Sequence, residues 1–115
     1  MLTLDKLTEF GVDTKEGLTR CMNNEGFYFK MIDLGLSNEY FDTLEDALQQ
    51  GKLEEAFEAA HALKGVIGNL ALAPIYTPLA EMTEMLRAKK DADYVTMYRP
   101  IKEMRDKMLA IHREP

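Results

Sequence analysis

Residues 52–72 read KLEEAFEAAHALKGVIGNLAL, and the spacing of their apolar side chains predicts one continuous helix. On a helical wheel of about 100° per residue, these side chains fall on a single arc. The arc is the expected core stripe: Leu53, Ala56, Phe57, Ala60, Leu63, Ile67 and Leu70. Because a helix with one such stripe buries it against neighbouring helices, the segment predicts a helical bundle.

A second stripe on the same helix contains His61, Lys64, Gly65 and Gly68. Residues at this spacing lie one above another, and the wheel places them away from the core stripe. We therefore expect His61 to be at least partly exposed, beside a strip with little side-chain bulk. Glycine inside a helix costs up to about 1 kcal/mol relative to alanine, so two glycines here indicate a place kept open for a partner or ligand. Close helix packing is the alternative explanation of the glycines.

The rest of the chain also shows helical periodicity, without the alternating β-branched runs typical of strands. Further helices are expected at about 4–10, 14–34, 40–48 and 77–90, and from 91 or 93 to 112. Asp13 is expected to cap the second of these, Gly26 to interrupt or kink it, and Gly35 and Ser37 to mark its end and the next N-cap. Pro74 fits the first turn of the next helix, although Pro78, four residues further on, favours a start near Thr77. Pro100 should bend or restart the last helix. The sum predicts an all-α fold, an up-and-down antiparallel four-helix bundle with a short N-terminal helical extension.

The composition and net charge of the chain argue against several classes of function. The 115 residues, 46% of them hydrophobic, predict a single domain spanning 1–115 with one core. A net charge of −6 argues against nucleic acid as a partner. The sequence contains neither a long apolar stretch nor an N-terminal leader pattern, so neither a membrane span nor secretion is expected. The lone Cys21 favours a reducing cytoplasm. His61 and His112 are far apart in sequence, so no metal-ligand spacing is visible.

The second stripe has the composition of a phosphoryl-accepting site. An uncharged imidazole is available near neutral pH and can attack phosphorus, so His61 is the expected acceptor. Lys64, one turn away, offers a cation to the phosphoryl oxygens, and Gly65 leaves room for their approach. The sequence contains no nucleotide-binding loop and no acidic Mg²⁺ motif, so a partner protein is expected to supply both the phosphoryl group and the metal.

The stretch AHALKGVIGNL at 60–70 resembles the signature of histidine-containing phosphotransfer (HPt) domains. The segment from Gly11 to Tyr28 also resembles the opening of bacterial, stand-alone members, so the likeness covers nearly the whole chain. It implies a four-helix bundle that shuttles a phosphoryl group between His61 and receiver-domain aspartates of response regulators or hybrid kinases. It also implies no cofactor on this chain, with Mg²⁺ only on the receiver.

Four residues depart from the usual HPt pattern or bear on partner contact. Ala71 stands where a glycine is usual, and Val66 replaces a commoner small residue. Thr83 occupies a position where a glutamine often binds the imidazole, and Arg87 a position that is sometimes basic. The residues expected to contact a partner are Gly68, Leu72, Thr83 and Arg87.

Two other functions are compatible with parts of the sequence. The first is a helical adaptor that docks on receiver or kinase domains without carrying phosphate, with Leu72 or Ile75 as an apolar rim. The presence of both His61 and Lys64 argues against it. The second is a hydrolytic or ATP-using enzyme, which ranks last because no second catalytic base or nucleotide loop is visible.

Overall fold

The computed structural model describes residues 1–114, which form seven α-helices and no strand. The helices are α1 (Leu4–Phe10), α2 (Thr14–Arg20), α3 (Glu25–Leu36), α4 (Tyr40–Gln49), α5 (Leu53–Asn69), α6 (Ala73–Arg87) and α7 (Tyr94–His112). The predicted all-helical class is confirmed. No helix within residues 1–114 combines the length and apolar character that crossing a bilayer requires.

The last four helices pack in chain order, α4 on α5, α5 on α6 and α6 on α7, and α7 also packs on α4. Helix α3 contacts α5 and α7, and α2 contacts both α1 and α3. Helix α5 is therefore covered by three neighbours. Exposed residues recur every three or four positions along its remaining face: Glu54, Glu58, His61, Gly65 and Asn69.

The predicted core stripe of α5 is largely buried. Ala56, Ala60, Leu63, Ile67 and Leu70 are almost fully enclosed. Leu53 and Phe57, at the edge of the arc, are half-buried and pack against the core from outside.

The break in the N-terminal helical region lies at a different position from the one that the sequence predicts. Asp13 caps α2 as expected, because its side chain accepts a hydrogen bond from the backbone N–H of Glu16. The expected interruption of the helical region 14–34 is present, but it lies at Met22 and Asn23, which adopt left-handed φ angles of 58° and 56°, and Gly26 lies inside α3. Asn24 then caps α3 through the N–H of Phe27.

Gly35 does not end α3, and Ser37 is the C-cap of that helix and not the N-cap of the next one. Gly35 is buried, and a Cβ at this position would lie 2.6 Å from Cδ1 of Leu70. The glycine thus allows α3 to approach the end of α5, a tertiary reason that the local sequence does not contain.

The helix ends around α5 and α6 also differ from the prediction. Helix α5 stops at Asn69, short of the expected Leu72, because Ala71 turns the chain with φ of 58°. Helix α6 begins at Ala73 with Pro74 in its first turn, as expected for that proline, so the start near Thr77 is wrong and Pro78 lies inside the helix. Pro100 likewise lies inside α7, which is helical over its whole length. Apolar side chains buried along both helices compensate for the hydrogen bonds that these prolines remove.

Tyr28 fastens α3 to the end of α5. Its hydroxyl donates a hydrogen bond of 2.8 Å to the carbonyl oxygen of Leu70, and the side chain is fully buried. Gly17 on α2 makes room for the phenol, because a Cβ there would collide with it. Burial, with smaller contributions from Cys21 and Asp13, raises the pKa of Tyr28 to about 12.

Candidate functional site

His61 lies near the middle of α5 with its side chain exposed, as the wheel predicts. Its imidazole stacks on the phenyl ring of Phe57, one turn earlier, with ring centroids 5.7 Å apart and planes 21° from parallel. Residues four apart on a helix face each other, which is why this pair can form. Both ring nitrogens of His61 are free of hydrogen bonds to side chains and backbone within residues 1–114.

The neighbouring helix α6 adds a cation to the same aromatic ring. The guanidinium carbon of Arg87 lies 4.9 Å from the ring centroid of Phe57, within the range of a cation–π interaction. We call Phe57, His61 and Arg87 the Phe57 cluster. It joins the candidate acceptor on α5 to the last turn of α6.

Glu84 connects the two cations beside His61. One carboxylate oxygen lies 3.8 Å from Nζ of Lys64, and the other lies 3.3 Å from Nε of Arg87. Lys64 is three-quarters buried, with its side chain 25% exposed, whereas the Glu84 side chain is 59% exposed. Lys64 therefore forms a long ion pair across the helix interface with a carboxylate that is more than half exposed.

The two glycines of the stripe serve different purposes. A Cβ placed on Gly65 would meet no heavy atom within 4 Å, so no packing within residues 1–114 explains this glycine. A Cβ on Gly68 would lie 3.0 Å from Cε2 of Tyr76, so Gly68 allows α6 to pack closely. The open strip expected from sequence is thus real at Gly65, while Gly68 has a packing role.

A groove of about 410 Å³ begins beside this strip. Its walls come from α2, the C-terminal half of α5 and the start of α6. The lining residues are Asp13, Glu16, Arg20, Lys64, Gly65, Gly68, Asn69, Ala71, Ala73 and Tyr76. Arg20 reaches across it, donating a hydrogen bond of 3.3 Å to Oδ1 of Asn69 and pairing with Glu16 at 2.7 Å.

Two residues expected to contact a partner are inaccessible. Leu72 is fully buried in the core, and so is Ile75, so neither can form an apolar rim. Thr83 is also fully buried, and its hydroxyl donates to the carbonyl oxygen of Leu79 at 2.7 Å. The wheel for α5 could not show this, because it contains no information on how deeply α6 packs. Arg87 is exposed, as partner contact requires.

The second histidine belongs to a different part of the molecule. Nε2 of His112 lies 3.4 Å from a carboxylate oxygen of Asp33, which also pairs with Arg113. The His112 ring stacks on Phe29 with centroids 6.3 Å apart. These contacts fasten the end of α7 to α3, so His112 has a structural explanation and is a natural control for His61.

Sequence reasoning missed Phe57 and Glu84 as members of the site. Phe57 was assigned to the core stripe, although its spacing of four from His61 was a signal that the two rings could meet. Glu84 is on another helix, and only the packing of α6 on α5 brings it to Lys64. The sequence carries no local signal for that contact.

Comparisons with known proteins bear on the family of the chain. A family model described as "Hpt domain" matches residues 34–112, more than half of the sequence. The match includes all of α4 to α7 and therefore His61, Lys64 and Gly65, whereas α1, α2 and most of α3 precede it. No curated protein and no solved structure matches the chain.

Proposed function

The chain belongs to the Hpt domain family, and from this premise we propose that it carries a phosphoryl group on His61 within a two-component phosphorelay. The family implies a role in phosphotransfer. The choice of acceptor residue, the partners and the route of the phosphoryl group are our proposal.

The observation that supports the proposal best is the surroundings of His61. Its imidazole is exposed on α5, Lys64 lies one turn away, and the space over Gly65 is open. An attacking nitrogen, a nearby cation and clearance for a tetrahedral group are what phosphoryl acceptance requires.

In the proposed step, a ring nitrogen of His61 attacks the phosphorus of a receiver's aspartyl phosphate. The N–P bond forms as the P–O bond to aspartate breaks, and the aspartate leaves as a carboxylate. The other ring nitrogen keeps its proton, so the step needs no further reactant. Lys64 can exchange the Glu84 carboxylate for a phosphoryl oxygen, because their pair is long at 3.8 Å and partly exposed.

The protein in this proposal is a carrier, and the receiver supplies most of the catalysis, including Mg²⁺. The expected partners are receiver domains of response regulators and a histidine or hybrid kinase in the cytoplasm. Gly65 and Arg87 are their proposed contacts on this chain, and the half-buried Gly68, besides allowing the close approach of Tyr76, is a third. Helices α4 to α7 are proposed to form the up-and-down antiparallel bundle, which their short connections and neighbour contacts favour.

Incubation with receivers phosphorylated on aspartate tests the proposal. The wild-type chain should acquire an acid-labile label from at least one receiver, His61→Gln should not, and His112→Gln should behave as the wild type. If no receiver of the same genome transfers label, the chain is not a carrier. Binding of receivers by His61→Gln with signalling intact would instead establish the adaptor.

A further inference from the structure

We propose that Phe57 is the positioning residue for the His61 imidazole, with Arg87 holding Phe57 from the adjacent helix. This inference rests on the proposed function, because it concerns how the acceptor ring of that function is oriented. It assigns a role to an aromatic side chain that would otherwise count as an edge residue of the core.

The need for such a residue follows from the contacts of His61. Thr83 cannot orient the ring, because it is fully buried and its hydroxyl is committed to the carbonyl oxygen of Leu79. An exposed imidazole without a partner rotates about two side-chain bonds, and only a fraction of its rotamers direct a nitrogen outward. The stacked ring of Phe57 is the aromatic contact of His61 within residues 1–114.

Stacking suits an acceptor better than a hydrogen bond in one respect. A hydrogen bond to the imidazole occupies one of its two nitrogens, whereas a stacked ring fixes the plane and leaves both nitrogens at the free edge. One nitrogen is then available to attack and the other to retain its proton. The observed separation of 5.7 Å and tilt of 21° are those of an offset-stacked pair.

Arg87 limits the motion of Phe57 itself. Phe57 is only half-buried, so the core alone does not enclose its ring. The guanidinium at 4.9 Å contacts the ring from α6, and Glu84 pairs with Arg87 in turn. The plane of the imidazole is thereby tied to two helices, so the nucleophile is oriented before a partner arrives.

The first test is spectroscopic and does not depend on phosphotransfer. A stacked phenyl ring shifts the NMR signals of the His61 ring protons. Phe57→Leu should abolish that shift and Phe57→Tyr should preserve it. Phe29→Leu is the matched control, since it removes the ring stacked on His112 and should move only the signals of that histidine. Unchanged His61 signals in Phe57→Leu would overturn the proposal.

The second test measures the rate of phosphorylation by phosphoramidate, a small donor that needs no docking surface, and by a phosphorylated receiver. Phe57→Leu should slow both maximal rates by about three- to tenfold, the range that one aromatic pair accounts for, with the receiver's KM unchanged. Phe57→Tyr should restore them, and Phe29→Leu should match the wild type. Equal rates in Phe57→Leu and the wild type would refute the positioning role.

The two proposals fail separately. If neither donor labels the wild type, the proposed function fails, while the NMR signals still decide whether the stack exists. Should Phe57→Leu not fold, Arg87→Gln replaces it, because the Arg87 side chain is 51% exposed and its loss leaves the core intact. That variant should slow labelling by roughly twofold and reduce the ring shift of His61, and no change in either would contradict the proposal.

Discussion

At the scale of single residues, Gly65 separates stability from function. Gly65→Ala should raise the free energy of unfolding by about 1 kcal/mol, because alanine favours the helix and its methyl group meets nothing. Gly68→Ala should raise the free energy of unfolding by less than half as much, or lower it, because the Tyr76 ring must move away from the new methyl group. Urea unfolding of the three proteins measures both values.

The same Gly65→Ala variant should transfer poorly despite its added stability. A methyl group beside His61 occupies the clearance that a docked receiver needs, so receiver-driven transfer should fall by roughly tenfold or more. Labelling by phosphoramidate, which requires no docking, should change little. Undiminished transfer from the receiver would show that Gly65 is not a clearance position.

Glu84 is predicted to restrain the site electrostatically. Glu84→Gln releases Lys64 for an incoming phosphoryl oxygen, while the cation–π contact keeps Arg87 over Phe57, so transfer from a receiver should speed up by about two- to fivefold at low salt. Stability should change by less than about 1 kcal/mol, because the pairs are partly exposed. Glu58→Gln, on the exposed face of α5, removes the same charge without releasing a cation and is the control.

An equal acceleration by Glu58→Gln would attribute the effect to net charge alone. A loss of acceleration at high salt in Glu84→Gln is expected, since salt screens exposed charges.

At the scale of residues, the sequence predicts the features of α5 itself better than the contacts of α5 with its neighbouring helices. The exposure of His61 and the open strip at Gly65 follow from helical periodicity, which one segment contains in full. The burial of Leu72 and Thr83, and the contacts of Phe57 and Glu84, depend on side-chain rotamers and on the depth at which α6 packs. Those are properties of two helices together, so no single stretch of sequence encodes them.

At the scale of helices, backbone strain is tested at Ala71, one of four non-glycine residues within 1–114 that adopt a left-handed φ. It adopts φ of 58° directly after α5, a conformation that glycine accepts and alanine resists. Ala71→Gly should therefore raise the free energy of unfolding by about 0.5–1 kcal/mol, measured in urea. A lower stability would show that the alanine methyl group contributes packing worth more than the strain.

Tyr28 predicts how stability changes in alkali. Its pKa of about 12 exceeds the ordinary value near 10, so the folded state disfavours the phenolate. The stability that the protonated Tyr28 contributes to the fold is fully present below pH 10 and is lost as pH rises through about 12, because this tyrosine ionises at lower pH in the unfolded chain. Tyr28→Phe should lower stability by about 1 kcal/mol at neutral pH and flatten the decline above pH 10. An unchanged alkaline slope in that variant would contradict the role of Tyr28.

The helix boundaries that sequence reasoning missed have tertiary causes. Gly35 was expected to stop α3, yet it lies inside the helix because Leu70 packs against it. Pro78 was expected to lie in the first turn of α6, yet it lies further inside, because buried side chains of that helix outweigh the missing hydrogen bond. Signals that are local, such as the Asp13 cap of α2 and the apolar stripe of α5, were predicted correctly.

At the scale of the whole molecule, the fold presents one exposed face of α5 between the acidic start of the helix and the groove beside α2. The all-helical class was predictable because every apolar pattern has helical spacing. The position of the break between α2 and α3 was not, because it lies at Met22 and Asn23, two non-glycine residues with left-handed φ. The outcome places a histidine and a lysine beside an open strip on a helix that packs against three neighbours.

Site mapping of the transferred phosphoryl group tests the central claim most directly. After reaction with a phosphorylated receiver, tandem mass spectrometry under alkaline conditions should find one phosphoryl group per chain, on His61. His112→Gln should carry it equally, and His61→Gln should carry none. A phosphoryl group on any other residue of the wild type, or undiminished labelling of His61→Gln, would contradict the account.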